Sequence, residues 1–221
     1  MRLLVIGNPI NHSKSPDIHN TWLKKYNLDC RYFKKEVEKE ELRLIIDQIR
    51  KGNLKGINIT LPYKNEIIPK LDACDEIAKA CNAVNTVFLE NKRIIGTNTD
   101  GIGFMNSLMK DANYKLTEKS EVFLLGAGGA AKGIIYYLLK AKLRKITISN
   151  RNKEKAAHLI SELNSKNTEV DFQAWENKEI SKNIDLVINT TSFGMNKHEK
   201  ITLSYKNCKN KLLVFDIIYS P

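Results

Sequence analysis

The chain reads as α/β in two domains, and three observations carry that reading. From residue 3 to residue 61, apolar strand-like segments alternate with single helical segments, the pattern of a parallel sheet with right-handed crossovers. A second alternating run opens at Val122 with V-F-L-L-G-A-G-G-A-A-K-G, a buried strand entering a glycine-dense turn and then helix-forming alanines. Between the runs, residues 111–120 are polar with no apolar period, so the boundary is placed in this region, giving domains 1–100 and 101–221.

Residues 3–7 form a short apolar strand that opens into N-P-I-N-H-S-K-S-P. Ser15 at the N-cap and Pro16 at the first helical position start a helix to about residue 27, with Ile18, Trp22, Leu23 and Tyr26 at helical spacing. Residues 30–37 alternate like a strand, 39–51 carry Leu42, Ile45, Ile46 and Ile49 on one helical face, and 56–61 are a strand again. After Pro62 the spacing predicts a helix with Ile67, Ile68 and Leu71, a short helix around Ile77, and strands at 86–89 and 93–97 joined by a polar turn. Asp100 to about residue 110 is a connecting helix. Beyond the glycine turn, K-I-T-I-S at 145–149 is a strand, and 170–174, 185–189 and 212–218 are further strand candidates. The last is apolar almost throughout, as a strand covered on both faces must be.

Gly126 and Gly128, with Ala131 third, fit G-x-G-x-x-G/A. The first glycine makes the turn, the second lets backbone approach a pyrophosphate, and the small third residue lets the helix lie close to the strand. The phosphates then sit on a helix N-terminus. A tight strand-to-helix junction of any purpose uses similar residues, so the next strand matters. It ends on Asn150 and Arg151, roughly 20 residues on, where an acid would select NAD. Arg151 and Lys155 instead supply two cations, which a 2′-phosphate needs, and this favours NADP in a Rossmann domain. The other reading of N-R-N-K-E-K is a solvated helix start.

A net charge of +11 invites a nucleic-acid reading, but the lysines are spread along the chain and not interleaved with aromatics. No nucleic-acid partner is expected; a small anionic substrate and an anionic cofactor would use the same field. Cys30, Cys74, Cys81 and Cys208 form no C-x-x-C pair and have no His at ligand spacing, so neither a metal site nor a disulfide framework is predicted. They read as reduced thiols of a cytoplasmic protein. No apolar run approaches membrane-spanning length and Met1 leads directly into a strand, so neither a membrane partner nor a signal peptide is expected. The expected state is monomer or homodimer.

Four polar clusters fall at C-terminal ends of strands, the edge where open α/β sheets bind ligands: Ser13 to Ser15, Asn58 to Lys64, Ala83 to Thr86 and Asn98 to Gly101. Each has a plain alternative, Ser15 as a helix cap, Lys64 as a solvated lysine, Asn85 as a turn residue and Asp100 as an N-cap. Their joint occurrence with the glycine turn argues for a site. On G-N-P-I-x-H-S-K-S-P, N-x-T-x-P-x-K, A-V-N-T, G-x-N-T-D-G, G-A-G-G-A, N-R, I-N-x-T-S-x-G-M and D-x-x-Y-x-P, the chain resembles the shikimate dehydrogenase family from Val5 to its last residue.

The resemblance implies NADP-linked, reversible reduction of 3-dehydroshikimate to shikimate in aromatic amino acid (chorismate) biosynthesis. It implies Lys64 and Asp100 as the catalytic pair. It implies Ser13, Ser15 and Tyr219 on the substrate carboxylate, and Thr60, Asn85 and Asp100 on the ring hydroxyls. For the cofactor it implies Gly126, Ala127, Gly128, Gly129, Ala130, Asn150, Arg151, Lys155, Thr190, Ser192 and Met195. As hydride reaches a carbonyl carbon, negative charge grows on oxygen, and a positioned ammonium can stabilise it or donate a proton; the residues leave both roles open for Lys64. Three departures from the family stand out: Cys81-Asn82 before A-V-N-T, Asn152 where Thr is common, and an ending at Y-S-P. From the last, the Rossmann domain is expected to lack its final elements, as in a fragment or a shortened copy. Two alternatives are a quinate/shikimate dehydrogenase using NAD, against which Arg151 and the serine pair argue, and a truncated, non-catalytic ligand-binding paralogue.

Overall fold

A computed structural model describes residues 1–195 and 198–219. The chain divides into two compact units, the first Met1–Asp100 and the second from Gly101 onward. Pro221, which ends the D-x-x-Y-x-P motif, lies outside the described residues.

The first unit runs β1 (Arg2–Gly7), α1 (Ser15–Lys25), β2 (Arg31–Glu36), α2 (Leu42–Arg50), β3 (Gly56–Ile59), β4 (Ala73–Cys74), α3 (Glu76–Cys81), β5 (Thr86–Glu90) and β6 (Arg93–Thr97). Its sheet has the order β2-β1-β3-β5-β6-β4. The β2-β1-β3 part is parallel, as single-helix crossovers demand. Strands β5 and β6 extend it as an antiparallel hairpin. They close over Asn91 and Lys92, both with positive φ (48° and 63°), the backbone that a two-residue hairpin turn matching the strand twist requires.

Helix α2 anchors this sheet. Leu42, Ile45, Ile46 and Ile49 are all buried on it, and they pack with Ile57, Ile59, Ile67, Val84, Val87 and Ile94. Full burial of one such side chain is worth roughly 1.5–3 kcal/mol. Helix α1 contributes far less and corrects the sequence reading. Its first residue is Ser15 itself, after Lys14, with no side-chain cap; the Ser13 hydroxyl instead accepts from the Ser15 amide at 3.3 Å. Ile18, Trp22 and Tyr26 remain 47%, 52% and 65% exposed, and only Leu23 packs inward, beside Val5, Ile10 and Tyr32. The helix expected after Pro62 is a turn-rich segment with one 3-10 turn, Ile68–Lys70. Pro69 lacks the amide a continuing helix would use, yet the segment still buries Ile67 completely.

Helix α4 (Asp100–Asn106) opens on the last residue of the first unit and continues as a π-type turn at Ser107–Asp111, and in the second unit then come β7 (Glu121–Leu125), α5 (Gly129–Lys140), β8 (Lys145–Ser149), α6 (Lys153–Glu162), β9 (Glu169–Phe172), β10 (Leu186–Asn189) and β11 (Leu213–Asp216). The order is β11-β10-β7-β8-β9, all parallel. The chain thus winds outward from β7 in one direction and then in the other, which puts a topological switch point between β7 and β10, where such sheets bind ligands. Every residue of β7 and β10 is buried. Strand β11 is not covered on both faces as its sequence suggests. It is the end strand among the described residues, Leu213 and Phe215 join the core, and Val214 is 52% exposed.

Candidate active site

In the first unit the strand ends converge because backbone approaches backbone. A Cβ on Gly7 would come within 2.5 Å of the Thr60 methyl and 2.9 Å of the Leu61 carbonyl, so only glycine lets the end of β1 lie against the loop after β3. The Thr60 amide donates to the Ile6 carbonyl at 2.9 Å, and the Lys64 carbonyl accepts from the Val84 amide at 2.8 Å. Behind them the buried Tyr63 hydroxyl donates to the Val37 carbonyl at 2.8 Å. These bonds fix the backbone on either side of Lys64.

The Lys64 ammonium donates to Asp100 Oδ2 at 2.5 Å, with the side chains only 13% and 23% exposed. Asn85 donates its amide to the other carboxylate oxygen at 2.6 Å. The orientation of that amide follows from its other end. Asn85 Oδ1 accepts from the Thr86 hydroxyl at 2.9 Å, the Thr99 amide at 3.0 Å and the Thr99 hydroxyl at 3.2 Å, so Nδ2 must face Asp100. Thr86 is held in turn by Asn58 Nδ2 at 2.9 Å, and Asn58 Oδ1 accepts from the Tyr32 hydroxyl at 2.6 Å. Burial pushes the Tyr32 phenol well above its ordinary titration range, so it stays a protonated donor. Buried Asn98 accepts from the Asp100 amide at 3.0 Å and donates to the Ala83 carbonyl at 3.0 Å, fixing the start of α4.

Lys64, Asn85 and Asp100 are therefore brought together, while Ser13 and Ser15 are adjacent at the start of α1 and Thr60 sits just past β3. Asn58, Thr86 and Thr99 are the supporting residues that sequence reasoning missed. All three lie inside quoted motifs, but the bonds from Asn58 to Thr86 and from Thr99 to Asn85 join different motifs, which no single motif shows. A largely buried ammonium held beside a doubly engaged carboxylate can stabilise charge growing on a carbonyl oxygen or give it a proton.

In the second unit, Gly126 has φ of 114°, and a Cβ there would collide with the Thr190 hydroxyl. Thr190 is itself fixed, its amide and hydroxyl both donating to the Leu125 carbonyl at 2.8 and 2.6 Å. Gly128, the N-cap of α5, has nothing within 4 Å of its Cβ position, and Ala131 is fully buried against the sheet. The turn, Gly126 to Ala130 with Ala127 between, thus presents open backbone at the N-terminus of a 12-residue helix. A Cβ on Gly101 would strike the Gly133 carbonyl, so α4 crosses α5 at a glycine pair.

Asn150 donates to the Asn152 carbonyl at 2.7 Å, and Asn152 caps α6 by accepting from the Lys155 amide at 2.7 Å. Asn152 therefore does here what a threonine N-cap would. Arg151 and Lys155 are exposed at this corner, and the Arg151 guanidinium lies over the Phe193 ring, 5.4 Å from its centroid. The loop after β10 is wound around buried Asn189. Its Oδ1 accepts from the Thr191 amide and hydroxyl at 3.0 and 2.7 Å, while Nδ2 donates to the Phe193 carbonyl at 3.2 Å and Asp216 at 3.0 Å. Ser192 and Met195 lie on this loop, joined by a 3.1 Å bond from the Met195 amide to the Ser192 carbonyl. Tyr219, 65% exposed, belongs to this second unit. Among the described residues no group of three or more His, Cys, Asp or Glu could hold a metal ion, and no helix is long and apolar enough to cross a membrane.

Fold and chemistry define a two-domain α/β oxidoreductase. The family model described as shikimate dehydrogenase substrate binding domain matches residues 5–87, and that described as shikimate / quinate 5-dehydrogenase matches residues 108–219. The shikimate dehydrogenase (NADP(+)) of Pelagibacter ubique is 38% identical over 218 residues, covering 99% of this chain and 79% of that protein. A shikimate dehydrogenase solved in complex with NADP+ superposes with a TM-score of 0.88 at 33% identity, over 99% of this chain and 76% of its own. The chain belongs to the shikimate dehydrogenase family. The fold is shared more widely: the ligand-free 5-ketofructose reductase of a Gluconobacter strain superposes with a TM-score of 0.87 at 29% identity, over 99% of this chain and 79% of its own. The choice of substrate therefore has to be argued from side chains.

Proposed function

We propose that this chain carries out the NADP-dependent, reversible reduction of 3-dehydroshikimate to shikimate, a step of aromatic amino acid and chorismate biosynthesis. The observation that carries the reading is the Lys64–Asp100 pair at 2.5 Å with Asn85 on the second carboxylate oxygen, in a chain whose other unit bears the nucleotide turn. Residues 1–100 act as the substrate and catalytic domain, and 101–221 as the NADP domain.

The second unit suits a dinucleotide on its own geometry: Gly126 excludes side chains from the turn, Gly128 opens its backbone outward, and Arg151 with Lys155 stands at the β8 corner. Gly126, Ala127, Gly128, Gly129 and Ala130 take the pyrophosphate, Asn150, Arg151 and Lys155 the adenosine 2′-phosphate, and Thr190, Ser192 and Met195 the remainder of the cofactor. Bound NADPH supplies the hydride. Within the first unit, Ser13 and Ser15 offer hydroxyls to the substrate carboxylate, while Thr60, Asn85 and Asp100 hold ring hydroxyls. Lys64, oriented by Asp100, meets the carbonyl oxygen as charge develops on it. Tyr219 is assigned to the substrate carboxylate on the resemblance alone. The protein is expected in the cytoplasm as a monomer or homodimer.

Absorbance at the NADPH band, with shikimate and NADP supplied to the purified chain, tests the reading. NADPH formation that disappears when shikimate is replaced by buffer supports it. Turnover of other polyols with none of shikimate overturns it.

A further inference from the structure

The Arg151 guanidinium does not stand alone at the cofactor corner. It lies 5.4 Å from the centroid of the Phe193 ring. Phe193 meets Trp175 on the ring side, centroids 5.4 Å apart at 45°, and Trp175 carries the Lys178 ammonium at 4.0 Å. The four side chains form a run of cation, ring, ring, cation. The Phe193 ring is a defined platform, because its backbone is held at both ends: its amide donates to the Thr191 hydroxyl at 3.1 Å and its carbonyl accepts from Asn189 Nδ2 at 3.2 Å. Asn189 is buried and bonded also to Asp216.

An exposed arginine samples many rotamers, and each one frozen on ligand binding carries an entropic cost. An aromatic face beneath the guanidinium attracts it and leaves its N–H groups free to fork onto phosphate oxygens. We propose that Phe193 is a specificity-determining positioning residue: it holds Arg151 ready for the 2′-phosphate and so raises the preference for NADP over NAD. This rests on the assignment of Arg151 to the 2′-phosphate. Phe193 acts through Arg151, so its effect is confined to the cofactor that carries the extra phosphate.

The test is calorimetric titration of the full chain with NADP and with NAD, on the wild type, Phe193→Leu, Phe193→Tyr and Arg151→Ala. An exposed cation–ring contact corresponds to roughly two- to fivefold in affinity. Phe193→Leu is expected to weaken NADP by that factor and leave NAD unchanged, and Phe193→Tyr, which keeps the ring, to restore NADP binding. Loss of affinity for both cofactors alike in Phe193→Leu, or no restoration by tyrosine, would assign Phe193 to loop packing and overturn the proposal while the Arg151 assignment stands. If Arg151→Ala leaves the NADP to NAD ratio at its wild-type value, the Arg151 assignment fails and the proposal falls with it. Phe193→Leu in the Arg151→Ala background should add nothing to the ratio.

Discussion

Asn85 and Asp100 meet through one 2.6 Å hydrogen bond whose direction is set from behind, because the far end of the Asn85 amide is occupied by hydroxyl and amide donors of Thr86 and Thr99. With Lys64 on its other oxygen, the Asp100 carboxylate is held on both sides. It cannot rotate without breaking a charge-assisted bond, the stronger kind.

Lys64→Ala is expected to lower kcat at least about a hundredfold, the scale for a lost acid-base or oxyanion group, with little change in KM. In the proposed reading, the partner of Lys64 is charge that appears only in the transition state. Steady-state kinetics in both directions checks this, and a raised KM at unchanged kcat would make Lys64 a binding residue.

Thr86→Val keeps the branched shape that suits β5 but removes the hydroxyl that donates to Asn85 and accepts from Asn58. One such bond is worth about 0.5–1.5 kcal/mol, so a roughly two- to tenfold fall in kcat/KM is expected. Thr86→Ser should retain most activity. Equal losses in the two variants would mean that the hydroxyl is not what matters.

Arg151→Ala should weaken NADP binding roughly tenfold or more, since a charge-assisted hydrogen bond contributes about 1.5–3 kcal/mol. NAD binding should be nearly unchanged. Fluorescence titration with both cofactors reads the difference, and equal weakening would remove Arg151 from the 2′-phosphate.

His19 stacks on Tyr32, ring centroids 4.2 Å apart and planes 5° apart, and burial lowers its pKa. The folded chain therefore resists the proton that the unfolded chain accepts near the ordinary histidine value of about 6.5. The stability associated with the neutral ring is fully present above that value and is lost as pH falls from there through the lowered folded pKa. Melting temperatures at pH 7.5 and 5.5 should fall less steeply for His19→Gln than for the wild type; parallel slopes would show that His19 does not contribute.

Much of the architecture was legible because burial leaves a period. Leu42, Ile45, Ile46 and Ile49 show the helical face that anchors the first sheet, and K-I-T-I-S coincides with β8. Periodicity misled where apolar residues serve another end. Ile67, Ile68 and Leu71 have helical spacing, but Pro69 lets only a turn form, and Ile18, Trp22 and Tyr26 have it while staying exposed. Strand β4, two residues long, is too short to show any period. Lys64, Asn85 and Asp100 could be named from motifs. Asn58, Thr86 and Thr99 stand in the same motifs, but their supporting role shows only in the folded chain, where the Asn58–Thr86 bond joins residues 28 apart. Phe193 gave no sign of Arg151 for the same reason: nothing local connects a loop after β10 with a corner after β8.

The two glycines of the nucleotide turn differ in what they would tolerate. At Gly126 a positive φ and the Thr190 hydroxyl both bar a side chain, so any replacement has to move the end of β10 and would reduce the amount of folded protein. At Gly128 the backbone is ordinary and a methyl group meets nothing within 4 Å, so alanine fits the fold and, in the proposed reading, intrudes only on the space a phosphate needs. A library of variants scored for cellular abundance would expose Gly126 and pass over Gly128. The same library scored for cofactor retention would expose both, so the difference between the two maps outlines the surface that exists for binding alone.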